Sequence, residues 1–264
     1  MRWWCSSQSV AWSWTWQPYL GVWLFVLAVT VAYVRHVRRV NSTIDLRRSS
    51  LFGTGVLVLW GALDWPLGPL GASYLASVHV LQFLLIALVA PPLLLAGLPD
   101  ATFLKLRDHT KVFRWIEGLT QPLVAFFVFT VVMTLSHWPS VVDVLMGSQL
   151  GSFALDMVWL ASGVVFWWPI VAPLPARPKF SFLSKIGYLG FNGLLIRPPS
   201  MIMLYAKFPV YASYELAPPI PGTSAIDDQQ LAGVVMKVGS AWIMMVGIGV
   251  LFYFWYRQGV RRET

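Results

Sequence analysis

The groups in this chain with chemistry to offer are two histidines, three methionines and a handful of carboxylates and amides. His79 and His137 bring imidazole nitrogens, and Met201, Met203 and Met236 bring thioethers. Asp64, Asp156 and Asp228 add carboxylates, and Gln82 and Gln229 add amides. Imidazole with thioether is a soft donor set, suited to Cu(I) in a low-coordination shell. Each residue also has a plainer reading. Methionine commonly fills irregular gaps in a helical core. His79 can donate to a neighbouring helix, His137 can cap the helix that ends in Ser-His-Trp-Pro, and Asp64 can satisfy turn amides. Asp228 can N-cap the last long helix, and Asp156 can be the counter-ion of Lys237 or Arg197. On sequence alone these alternatives stay open. The chain holds no nucleophile elbow, no Walker loop, no HExxH pair and no zinc-like Cys/His spacing, so an enzyme is not expected. Cys5 is the single cysteine and makes neither an internal disulfide nor a CxxC pair.

Apolar runs are what position these groups. With 264 residues, 57% apolar and only 11% charged composition, and a mean hydropathy of +0.65, the chain reads as an integral membrane protein. Runs at 19–34, 74–95, 153–171 and 231–256 are of spanning length, and those at 51–63, 122–135 and 186–205 are shorter or broken. Counted together they predict an all-α, seven-transmembrane helix bundle over residues 19–256. A Trp-rich interfacial segment, 1–18, precedes it, and a basic tail, 257–264, follows.

The net charge of +8 does not point to nucleic acid, because the basic residues flank the spans. Arg35, Arg38, Arg39, Arg47 and Arg48 follow the first span. Lys105, Arg107, Lys111 and Arg114, then Arg177, Lys179 and Lys185, then Arg257, Arg261 and Arg262 fall on the same side when seven spans are threaded. By the positive-inside rule that side is cytoplasmic, which places the N-terminus outside and the C-terminus in the cytoplasm. Residues 100–118 read as an amphipathic helix on the inner surface. The sixth span is interrupted by Arg197-Pro198-Pro199, a break that raises a transporter reading, although no second broken span pairs with it as an inverted repeat. Residues 207–228 form a proline-rich loop with Phe208, Tyr211 and Tyr214, read as an ordered cover or a partner surface. This threading puts all ten candidate residues in the outer third, as an outward-facing chamber or metal site requires.

Four stretches carry a family likeness: HVLQFLLIALVAPPLLLAGLP (79–99), SHWPSVVD (136–143), GVVFWWPI (163–170) and DDQQLAGVVMK (227–237). In their order and spacing the chain resembles the CtaG-like family of bacterial cytochrome c oxidase assembly factors, over about three quarters of its length. The resemblance implies a multi-pass protein of the bacterial plasma membrane that assists Cu(I) delivery to, or insertion into, the oxidase. It implies oxidase subunits and a copper donor protein as partners. By position, His79 and His137 would serve the metal-related site, and Asp64, Asp228, Gln229 and Met236 would line or support it. The pattern commonly has a histidine where this chain has Phe83, and histidine-rich positions where it has Gly151, Phe153, Asp156 and Met157. Lys237 stands where an aromatic is usual. The alternative is a metal-free scaffold or accessory subunit of a respiratory or other membrane complex.

Overall fold

Prolines, glycines and caps divide the apolar runs into helices. The computed structural model describes residues 2–40, 45–108, 110–172, 180–194 and 198–263, and helices are the regular secondary structure among them. Helix α1 (Leu20–Val40) ends with Arg38 and Arg39 in its last turn, where cations meet the negative end of the helix dipole. Helix α2 (Leu46–Leu63) is capped by Asp45, which accepts from the Arg47 and Arg48 amides at 2.9 and 3.4 Å. It stops at Asp64, before Trp65-Pro66, and α3 (Leu67–Ser73) leaves at 45°.

The central rod runs from Ala76 to Gly97. It comprises α4 (Ala76–Phe83), a π-wound segment (Leu84–Val89) and α5 (Ala90–Gly97). Pro91 and Pro92 remove two backbone donors at the start of α5, and the wide turn just ahead of them is where the hydrogen-bond ladder absorbs that loss. Helices α6 (Asp100–Asp108) and α7 (Thr110–Leu119) lead to α8 (Pro122–Ser136), which opens on Pro122. Then come α9 (Pro139–Met146), α10 (Gln149–Val171), α11 (Phe182–Leu194), α12 (Pro198–Tyr205) and the short α13 (Ala212–Glu215). Helix α14 (Ala225–Val234) passes through a second π-wound turn (Val235–Gly239) into α15 (Ser240–Glu263).

The rod lies at the centre, with α2 against one side and α10 against the other. A Cβ on Gly163 would stand 2.1 Å from the Ala87 carbonyl oxygen, so α10 and the rod touch backbone to backbone. Leu59, Phe83, Ile86, Leu88, Phe129, Trp159 and Phe166 fill the space around them. Within its apolar window the rod is 61% buried, against 11% for α1 and 17% for the 225–260 helix. The last two present their apolar faces outward, as lipid-facing helices do.

Residues 2–18 are more than an interfacial belt. Trp14 and Trp16 are exposed, but Trp4 and Cys5 are buried, and the segment is strapped across the helix ends. Ser7 N donates to Met146 O at 2.9 Å, Ser73 Oγ to Ser6 O at 2.9 Å, and Tyr74 Oη to Val10 O at 2.6 Å.

The seven-span expectation is corrected. Among the described residues four helices are long and apolar enough to cross a membrane: Leu20–Val40, Ala76–Gly97, Gln149–Val171 and Ala225–Val260. The number rises to six if two bent pairs each make one span, Leu46–Leu63 with Leu67–Ser73 and Phe113–Leu119 with Pro122–Ser136. Within the run at 186–205 the described helices, Phe182–Leu194 and Pro198–Tyr205, have 13 and 8 residues, each short of the length a bilayer needs, and residues 195–197 between them lie outside the described residues. Arg197, Pro173, Pro175, Arg177, Pro178 and Lys179 lie outside the described residues. Orientation goes with the count, because an inside–outside assignment alternates once per span. The placement of the N-terminus outside and the C-terminus in the cytoplasm therefore loses its basis.

Candidate functional site

The site grows from the first turn of α4. Its N-cap, Leu75, has no side chain able to cap, so the orphan amides of this buried helix start need an acceptor from elsewhere. Asp228 of α14 supplies it. Its Oδ2 accepts from the Ser77 amide at 3.3 Å and its Oδ1 from the Ser77 hydroxyl. Asp228 thus caps a neighbouring helix and not its own. Helix α14 is capped by Ser224, whose Oγ accepts from the Asp227 amide at 3.2 Å. His79 follows Ser77 by two residues, and Asp228 fixes where its ring enters the bundle.

One turn along, Gln82 donates to Ala62 O at 2.8 Å. Its Oε1 lies against Gly71, where a Cβ would come within 1.8 Å of that oxygen and 3.0 Å of the His79 backbone nitrogen. Only glycine lets α3 approach α4 so closely.

His137 arrives from the end of α8. Its Nδ1 lies 2.9 Å from Met133 O. A carbonyl can only accept, so Nδ1 carries the proton and Nε2 the lone pair. The sequence reading of His137 as a helix cap thus describes part of what it does. The two imidazoles stand with ring centroids 5.7 Å apart, at 65°. His79 is 3% exposed, and neither of its ring nitrogens has a hydrogen-bond partner among the described residues.

Aromatic rings wall the pair. Trp159 stacks on His137 at 5.5 Å and meets His79 edge-on at 5.0 Å, with its indole N–H donating to Ser136 Oγ at 2.9 Å. Phe83 meets His137 edge-on at 4.7 Å, and Tyr214 stands 6.0 Å from His79. Tyr214 Oη donates to Gly71 O at 2.6 Å and Tyr211 Oη to His137 O at 2.8 Å, so α13 closes over the rings. Asp143 holds α13 in turn, accepting from Ser213 N at 2.9 Å and Ser213 Oγ at 2.6 Å. Burial first, then the Asp143 charge, pushes the Tyr211 phenol above its ordinary value. Burial raises Tyr214 as well, and then the Tyr211, Asp228 and Asp143 charges. Both remain neutral donors near pH 7.

The other candidates do not gather here. Asp64 accepts from the Trp23 and Trp60 indoles at 2.7 and 2.8 Å. Asp156 accepts from the Trp4 indole at 2.7 Å, while Lys237, one of the two cations read as its counter-ion, donates to Leu194 O at 3.2 Å and the other, Arg197, lies outside the described residues. Gln229 ties the loop after α12 to α14, accepting from Val210 N at 2.7 Å and donating to Phe208 O at 3.3 Å and Met203 O at 3.4 Å. Met203 and Met236 are core residues and Met201 is half-buried. Among the described residues no group of three or more His, Cys, Asp and Glu side chains is disposed to hold a metal.

Sequence reasoning missed Ser77, Ser136 and Trp159. Trp159 carries no motif, and only the packing of α10 between the rod and α8 brings it to the pair. The Tyr211/Tyr214 spacing was a visible signal, since residues three apart on a helix share a face. At Phe83, where the resembled pattern has a histidine, the ring does stand against His137. At the start of α10 two of the substituted positions meet the N-terminal strap, Phe153 against Trp3 and Trp4 at 5.6 and 4.9 Å and Asp156 at the Trp4 indole.

A family model described as cytochrome c oxidase caa3 assembly factor matches residues 31–258. No curated protein and no solved structure matches the chain.

Proposed function

We infer the function from one premise: the chain belongs to the family of cytochrome c oxidase caa3 assembly factors. In this reading it serves oxidase biogenesis in the bacterial plasma membrane, with oxidase subunits and a copper donor as its partners. It carries out no covalent chemistry. Its cargo is Cu(I), held between His79 and His137 and passed on.

One observation supports the cargo above all others, the buried His79 ring with no hydrogen-bond partner on either nitrogen among the described residues. A buried imidazole without partners forfeits hydrogen bonds that water would give it. Two imidazoles enclosed by Phe83, Trp159 and Tyr214 suit a two-coordinate Cu(I) better than a four-coordinate Zn(II). The aromatic walls exclude the hard oxygen ligands that Cu(II) would favour. Rotation of the His79 ring changes which nitrogen faces His137 and breaks no hydrogen bond, a useful property in a site that must release its ion.

The test is copper content of the purified protein under reducing conditions, before and after His79→Ala, with thermal unfolding to show that the variant folds. One Cu(I) per chain, lost in the variant, is expected. No Cu(I) on the intact protein removes the carrier role. Oxidase activity and copper content in a strain lacking the protein address the wider claim, and normal values for both would remove the assembly role. A metal-free scaffold is favoured by a different observation, that Asp64, Gln82, Asp156, Asp228 and Gln229 are each spent on bonds that hold helices together. On that reading a deletion strain loses oxidase while His79→Ala does not.

A further inference from the structure

The elbow between α7 and α8 takes no part in the histidine site. The Phe113–Leu119 and Pro122–Ser136 helices meet at 71°, because Pro122 cannot continue the α7 hydrogen-bond ladder and instead starts a new helix. In the crook lies an open cleft of about 610 Å³ lined by Lys111, Arg114, Trp115, Gly118, Leu119 and Val124. Among the described residues two cations line it and no anion does. Lys111, Arg114 and Trp115 are three and four residues apart and therefore share one face of α7. Glu117, the acid of this helix, is half-buried and lies outside the lining, and Arg114 lines the cleft while also engaged within the chain. Trp115 is 75% exposed. A Cβ on Gly118 would meet nothing within 4 Å, so the floor of the cleft is open.

An apolar strip leads away from this charged pocket along α8. Val124, Phe127, Val131 and Leu135 recur at helical spacing on one face, and all four are exposed. At 1.5 Å per residue the strip runs for about 16 Å, comparable to most of an acyl chain. A ligand with an anionic head and an apolar tail is the chemistry that meets both parts. We propose that the elbow is a binding site for one anionic phospholipid. Its phosphate sits against Lys111 and Arg114, its glycerol edge against Trp115, and one chain lies along Val124, Phe127, Val131 and Leu135. Cations, an interfacial tryptophan and an apolar face in this order are what a bilayer's headgroup boundary selects.

Native mass spectrometry of the intact, delipidated protein in neutral detergent tests the site, with phosphatidylglycerol and phosphatidylcholine of identical chains as probes. One phosphatidylglycerol retained in preference to phosphatidylcholine is expected. Two cations contribute a preference of roughly thirty-fold, which the K111Q/R114Q variant should lose. Gly118→Leu fills the cleft without changing charge, and its added side chain enters open space in a helix that leucine favours. It should lose the bound lipid while its thermal unfolding stays unchanged. Equal retention of the two lipids by the unmodified protein, undiminished binding in Gly118→Leu, or displacement of phosphatidylglycerol by inorganic phosphate would each overturn the proposal. The last result would reassign the cleft to a free anion.

Discussion

Helix α2 and the central rod run antiparallel, and their two ends are fastened by different chemistry. Where α2 begins and the rod finishes, Arg48 grips Asp100 with two guanidinium nitrogens, at 2.6 and 3.1 Å, reaches Asp45 at 3.4 Å, and donates to Leu98 O at 2.7 Å. Where α2 finishes and the rod begins, Asp64, Gln82 and Asp228 are buried, and their partners are indoles, a carbonyl and a serine. The exposed end uses opposite charges, whose strength water screens. The buried end holds its carboxylates with neutral donors, which offset part of the desolvation cost, although Asp64 Oδ1 has no hydrogen-bond partner among the described residues. Against that background His79 stands out because both of its buried ring nitrogens lack a hydrogen-bond partner among the described residues, and a ligand would supply one.

The comparison breaks most easily at Gly71. Gly71→Val drives a side chain into Gln82 and the His79 backbone and should cost about 3 kcal/mol, read by denaturant unfolding in detergent. Unchanged stability would mean that the buried end tolerates loose packing. Asp228→Ala comes next. It strips the cap from α4 and should cost about 2 kcal/mol. Ser77→Ala combined with it should add little further loss, as a double-mutant cycle will show if the two residues act as one unit. Phe83→His sharpens the functional side. A third imidazole beside His137 should tighten Cu(I) binding about tenfold, or ~1.4 kcal/mol, in competition with a chromogenic chelator. Phe83→Leu should leave it unaltered. At the exposed end Arg48→Ala should cost only ~0.5 kcal/mol, and less still in high salt. A loss as large as that of Asp228→Ala would erase the distinction between the ends.

Much of the architecture was written in run lengths. The segments at 19–34, 74–95, 153–171 and 231–256 are all helices of spanning length, because burial in lipid demands uninterrupted apolar chain. By composition the three shorter runs count as full crossings, because apolar content does not distinguish a straight crossing from a bent pair such as Leu46–Leu63 with Leu67–Ser73 or from a short helix such as Pro198–Tyr205. The site was legible by halves. His79, His137 and Asp228 were identified by residue type, and His79 and His137 do meet. Depth along a helix fixes only one coordinate, however, and Asp64 and Asp156 turn toward Trp23, Trp60 and Trp4 around the helix axis. Trp60 and Asp64 are four apart, so that bond was readable, whereas Trp23 and Trp4 reach their carboxylates from 41 and 152 positions away. Ser77 was silent because its value lies wholly in a carboxylate from another helix.

The wide turns at Leu84–Val89 and Val235–Gly239 stand beside each other, since a Cβ on Gly239 would come 2.6 Å from Leu84 Cδ1. Each wide turn holds one residue more than an α-turn for about the same rotation, so the stretches before and after it keep nearly the phase of an uninterrupted helix. His79 is aimed by the first half of the rod, while Ala87 and Pro91 meet Gly163 close to the joint. Delete one residue from 84–89 and regular winding returns with the two halves in nearly the same phase. Every side chain named above would still be present, and His79 should still face His137 while Ala87 meets α10; a deletion outside the wide turn would instead rotate one half by about 100° against the other. What the joint absorbs is therefore one residue of count, a quantity to which composition and hydropathy are blind.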